Sequence, residues 1–166
     1  MIRAWTSRVV EEANLFNPAF CATILAVATK DYVKKTNRPL PFALAFLVLP
    51  IVLHERTREE LPHSTITALL PWLQEHKSVL VGFSQRVAGL RPVTQEAVMF
   101  GIRQGALAIE GPALKTTSKY KAPTSARTDM FTKETTDTVE AAAFLGRWFA
   151  NAGTTSTIYA AWGVTP

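Results

Sequence analysis

One cysteine, Cys21, stands in 166 residues, so no disulfide can close within the chain and a cysteine-rich metal centre is excluded. That usage suits a reducing compartment, and a cytoplasmic protein is expected. Charged residues make up only 19%, and the net charge of +5 is diluted along the chain. It is compatible with an acidic partner, nucleic acid or protein, without demanding one. Apolar runs are also too short to span a membrane. "PLPFALAFLVLPIVL" (39–53) falls below the ~20 residues a spanning helix needs, and Pro39, Pro41 and Pro50 each remove a backbone donor. A buried core helix is expected instead, kinked or ended early at Pro50. "AFCATILAVA" (19–28) imitates part of a secretory signal, but Glu11 and Glu12 precede it and Asn17-Pro18 reads as a helix start.

Catalytic signatures are equally scarce. There is no Gly-x-Ser-x-Gly elbow and no phosphate-cradling Gly-rich loop followed by Lys-Ser/Thr. "HERTR" (54–58) matches half of a zinc-protease helix, but Arg58 stands where the second imidazole belongs; His63 and His76 stand alone. Glu55, Glu59 and Glu60 alternate with Arg56 and Arg58, the pattern of a solvated, self-paired face. No catalytic residue, cofactor or metal is assigned, and the chain is not expected to be an enzyme.

What is present is a helical pattern with 48% hydrophobic residues, enough for one domain over 1–166. Asn17 caps a helix with Pro18 at its first position; Phe20, Ile24, Val27 and Ala28 recur along it, and Lys34 and Lys35 suit its end. Thr57 and Glu60 have capping-box spacing ahead of Pro62. A helix follows over 64–76 with Pro71 near its first turn. Ser78 and Thr94 are read as caps of two further helices, the second ending near Gly105. "ALAIE" and "ALKTTS" around Gly111-Pro112 read as a hairpin. Residues 116–136 are expected as an exposed Thr/Lys-rich loop, and Asp137 with Glu140 as the cap pair of a helix bearing Phe144, Trp148 and Phe149. Gly163 ends a last helix. The expected fold is mainly α: a compact helical domain with one small β-hairpin, in a winged-helix-like order.

Lys115, Lys119, Lys121 and Arg127 follow that hairpin around Tyr120 and are the candidate phosphate contacts. A recognition helix is harder to find. "VTQEAVMFGIRQG" (93–105) offers Gln95, Arg103 and Gln104 but is otherwise apolar. The aromatic residues are chiefly core candidates, with room for one or two of the four tryptophans at a protein contact.

Three stretches, "NPAFCATIL", "PLPFALAFLVLPIVLHERTREELP" and "WLQEHKSVLVGFSQRVAGLRPVTQEAVMFGIRQGALAIE", resemble the middle component of three-component ABC-ATPase systems, prokaryotic conflict cassettes related to Lamassu-type anti-phage systems. The resemblance runs from about Asn14 to the C-terminal "WGVTP". It implies an accessory subunit that bridges an SMC/Rad50-like ABC ATPase and an effector, commonly a nuclease. Two short segments are the candidate partner-binding residues: Asn17, Pro18 and Phe20, and the run containing His54, Arg56, Arg58, Glu59, Leu61 and Pro62. The alternative is a stand-alone winged-helix-like DNA-binding regulator.

Overall fold

Asn17 sets the central element. Its side-chain oxygen accepts the backbone N–H groups of Ala19 (2.9 Å) and Phe20 (3.4 Å), and Pro18 opens a 19-residue helix. The structure, a computed structural model, describes residues 7–123 and 131–165. In these it has α1 (Val10–Leu15), α2 (Pro18–Thr36), β1 (Leu40–Pro41), α3 (Phe42–Val52), α4 (Glu55–Glu59), α5 (Leu69–Glu75), a 3₁₀ turn (Lys77–Leu80), α6 (Phe83–Arg103), β2 (Leu107–Glu110), β3 (Ala113–Thr116), α7 (Lys133–Phe149) and α8 (Thr155–Ala161). The mainly helical class stands, and no helix of the described residues is long and apolar enough to cross a membrane.

α2 is buried from Cys21 to Thr29, except at Thr23, and packs against α7, α6 and α3, so that stretch is apolar nearly all round while its last turns carry Lys30, Asp31, Lys34 and Lys35. It ends where Asn37 turns left-handed (φ 58) and donates its N–H to Val33 O. The apolar run then departs from expectation at its start. Pro39 and Pro41 disfavour helical backbone in the residue before each, and Leu40 runs instead as a strand paired with Leu114. The hairpin thereby becomes a three-stranded antiparallel sheet, β1-β3-β2. α3 begins only at Phe42, with Pro50 in its last turn.

Four caps also move. Ser78 lies in the 3₁₀ turn, and Thr94 is internal to one 21-residue α6, where its hydroxyl donates to Leu90 O (3.0 Å). Proline at 92 is tolerated inside that helix, so two expected helices are one. α7 starts at Lys133 with Thr132 as cap, its hydroxyl accepting the Thr135 N–H (3.2 Å), so Asp137 and Glu140 lie within the helix; of the loop expected over 116–136, Thr116 belongs to β3, 133–136 are helical, and 124–130 lie outside the described residues. His54, not Thr57, caps α4. The end of α8 is as read: Gly163 (φ 66) and Val164 donate to Ala160 O and Tyr159 O.

The core has an aromatic centre. Trp72 meets Trp148 edge-on at 5.2 Å and Trp162 at 6.2 Å, and Trp162 lies 4.6 Å from Phe83. Three tryptophans are thus interior, and Trp5 lies outside the described residues. The segment before α1 is held by Arg8, whose guanidinium grips both Glu96 oxygens at 2.7 and 2.8 Å.

Cys21 is wholly buried on α2. Burial first, then the Glu96 carboxylate, push its thiol from 9.0 up to about 12, against a smaller pull from Arg8. Native protein is therefore expected to resist thiol reagents that label it fully in denaturant. Because the folded pKa lies above the unfolded one, this contribution to stability is intact below pH 9 and is lost as pH rises toward 12, by on the order of 1.4 kcal/mol per pH unit. Denaturant midpoints of wild type and Cys21→Ala across that range check it: the variant's decline with pH should be shallower.

Candidate functional site

The joint between α3 and α4 is built by His54. Its backbone is extended (φ −93, ψ 101), and its Nδ1 accepts the Thr57 N–H at 3.3 Å while lying 2.8 Å from the Thr57 hydroxyl. That hydroxyl also accepts from the Arg86 guanidinium at 3.3 Å. Because Nδ1 accepts the Thr57 N–H it carries no hydrogen of its own, so the Thr57 hydroxyl donates to it and the imidazole is the form protonated on Nε2. Burial first, then Arg86 and Arg56, hold its pKa below the ordinary value. The folded state resists a proton that the unfolded state takes up, so stability is expected to be full above about pH 6.5 and to fall as pH drops below it. His54→Gln should flatten that acid limb in urea titrations at successive pH values; an unchanged limb would assign it to other groups.

Arg58 is also drawn inward. Its side chain is 8% exposed, one Nη donates to Val52 O at 2.7 Å, and the other lies 3.8 Å from the Glu134 carboxylate. Val52 closes α3, whose last carbonyls have no partner within the helix. Glu134 stands in the first turn of α7, where the helix dipole favours an anion. One guanidinium therefore ties together the end of α3, α4 and the start of α7.

This bridge separates two grooves. The first, about 410 Å³, is lined by Asn17, Phe20 and Leu53 on one side and Glu134 and Thr138 on the other. The second, about 610 Å³, runs between Glu59, Leu61 and Pro62 and the outer face of α7. Arg58 and Glu134 line both. The two sequence segments singled out as partner-binding, 34 or more residues apart in the chain at about 17–20 and 54–62, therefore come together around one groove that Arg58 and Glu134 also line. Within them Asn17 is occupied in capping α2, Leu61 is buried at 8% exposure, and Glu59 is exposed. Arg56 is exposed but lines neither groove, nor does His54. Pro18 opens onto a separate depression with Pro92, Met99 and Arg103.

The first half of α7, the wall of both grooves, was missed as a site because its start was read as loop. Its signal was available: Glu134, Asp137, Ala141 and Phe144 recur at steps of three and four, one face of a helix.

Of the candidate phosphate contacts, Lys115 is paired with Glu110, Lys119 and Lys121 are exposed beside half-buried Tyr120, and Arg127 lies outside the described residues. Among the described residues no group of three or more His, Cys, Asp or Glu is placed to hold a metal ion. His76 stacks on Trp72 at 4.7 Å with its Nδ1 2.9 Å from Trp72 O.

No curated protein and no solved structure matches the chain. Residues 5–166 match the family described as ABC-three component (ABC-3C) system Middle Component 3. The match takes in both segments that meet at Arg58 and Glu134, together with the helix that faces them. On that span, the chain belongs to the ABC-3C Middle Component 3 family.

Proposed function

We propose that this protein is a non-catalytic adaptor of an ABC-three component system, joining an SMC/Rad50-like ABC ATPase to an effector, commonly a nuclease, in the cytoplasm of a prokaryote resisting phage. Family membership supplies the accessory role in a multi-component system. The observation that carries the docking role is the convergence of the Asn17–Phe20 and His54–Pro62 segments on α7. His54 and Arg58 act here by position: one starts α4 and the other braces it against α3 and α7, which leaves Glu59, Pro62 and the α7 face to meet a partner.

The test is co-expression of a tagged chain with the ATPase and effector encoded beside it. Wild type is expected to retain both. Leu15→Asp with Pro62→Asp is expected to lose one of them without changing the circular dichroism melt, since Leu15 is 46% exposed on the groove rim. Reversing Arg58 is the wrong probe, because its loss would disturb the joint itself. A wild-type chain that retains neither protein would remove the proposal.

A further inference from the structure

The chain carries net +5, yet the groove between α4 and α7 has the opposite sign. Glu55 and Glu59 sit one turn apart on α4, and Glu134, Asp137 and Glu140 follow at three-residue steps on α7. All five line the same groove. Like charges at these spacings repel along a helix surface. Relief from within is small: Arg58 is turned inward and reaches only Glu134, while Glu55, Glu59, Asp137 and Glu140 make no hydrogen bond or ion pair with any described residue. Lys133 and His63 are the remaining cations or potential cations on the lining, and they too stand unpaired.

The lining is also apolar. Leu61, Pro62, Ala141 and Phe144 line the same groove, and on α7 the apolar Ala141 and Phe144 share the face that carries Glu134 and Asp137. From Glu134 to Phe144 the α7 wall is eleven residues long, a rise of about 15 Å or close to three helical turns. A groove that offers both apolar side chains and carboxylates from its two walls suits an amphipathic helix whose polar residues carry the opposite charge. The same carboxylates repel phosphate, which argues against nucleic acid here.

We infer that this groove receives a basic amphipathic helix of about three turns from a protein partner in the complex, its apolar stripe on Leu61, Pro62, Ala141 and Phe144 and its Lys or Arg residues over the carboxylate rows. The inference rests on the adaptor reading and names the chemistry of the segment that docks. Charge attraction steers the segment in, and contact with the apolar side chains holds it.

The experiment uses the co-purified complex of all three proteins. A zero-length carbodiimide, which joins carboxylates to lysines in contact, is applied, and the links are mapped by mass spectrometry. Links from Glu55, Glu59, Asp137 or Glu140 to a partner segment with lysines and apolar residues at helical spacing are the expected result. In parallel, the variant E55Q/E59Q/D137N/E140Q removes carboxylate charge while relieving repulsion, so its melt should equal or exceed that of wild type. Its complex should be about tenfold or more weaker at physiological salt and less sensitive to added salt. Two results overturn the inference and leave the adaptor reading standing: an intact complex with links only elsewhere and an unaffected variant, or links running to a second copy of this chain. A wild-type chain that holds no partner removes both. Should the variant melt early, the wild-type link map alone decides.

Discussion

Replacing Gly146 by alanine is expected to lower the melting temperature by roughly 10 °C. Gly146 sits where α7 crosses α2, and a Cβ placed there would lie 2.1 Å from Ala28 O and 3.0 Å from Tyr32 N. Both are backbone atoms of a helix, so neither can swing aside as a side-chain tip could. The helices must part or the hydrogen bond of that turn must stretch, and the whole interface through α2 loosens with it. Overpacking a core costs about 1–3 kcal/mol, and obstruction by rigid backbone on both sides puts this site at the upper end, about 3 kcal/mol. For a domain of this size each kcal/mol is worth about 2–4 °C. Gly89 on α6 is the internal control: a Cβ there meets nothing within 4 Å. Gly89→Ala should therefore gain about 0.5–1 kcal/mol from helix propensity alone. Paired thermal melts by circular dichroism give the contrast. Equal melts for Gly146→Ala and wild type would mean that the two helices do not pack at this distance.

Such close approach is also where the sequence was least informative. Local signals were legible: Asn17-Pro18 opened α2, Gly111-Pro112 turned the hairpin and Gly163 closed α8, each because one or two residues satisfy their own backbone. The misreadings share a cause. Thr57, Ser78, Thr94 and Asp137 all have capping chemistry, but a cap forms only where the helix starts, and that is set by packing. Thr94 instead returns its hydroxyl to Leu90 O inside α6, and Thr57 hands its role to His54. Leu40 joining the sheet was invisible because its partner, Leu114, lies 74 positions along the chain. The proposed docking surface lay only half in view of the sequence. Both signature segments could be picked out, but that Arg58 would brace the joint and α7 would face them follows only from the folded arrangement.

That arrangement gives one physical reason for the Leu-His…Thr-Arg pattern of residues 53–58. Leu53 ends α3, His54 starts α4, Thr57 relays Arg86 to His54, and Arg58 returns to Val52. Within six residues the chain ends one helix, turns and starts another, with the side chains of His54, Thr57 and Arg58 all hydrogen-bonded. The adjoining Glu59–Pro62 stretch is thereby presented at a defined angle to α7. On the adaptor reading proposed above, a rigid mount of this kind would keep the Glu59–Pro62 segment ordered before binding and lower the entropic cost of docking.

The second large effect is expected at Trp148. Its side chain is 1% exposed, and its ring lies edge-on to Trp72 at 5.2 Å and tilted against Phe144 at 5.5 Å. Through Trp72 it reaches Trp162 and Phe83, so it joins α7 to α5, α6 and the C-terminal turn. Its Nε1–H donates to Thr67 O at 2.6 Å, which pins the irregular 60–68 connection against α7. Trp148→Ala removes the ring, leaves a cavity and strands that carbonyl, for a loss of about 4 kcal/mol. Trp148→Phe keeps most of the ring contact and loses the indole hydrogen bond, for about 1–2 kcal/mol. Urea titrations give the two totals, and hydrogen exchange tells where the damage falls. In Trp148→Phe the amides around Ser64–Ala68 should lose protection while those at the centre of α2 keep it, because only the pin has gone. In Trp148→Ala both should fall together as the aromatic centre opens. If the alanine variant stays within about 1 kcal/mol of wild type, the fold draws its stability from elsewhere, and the order of the groove beside α7 cannot be ascribed to this cluster.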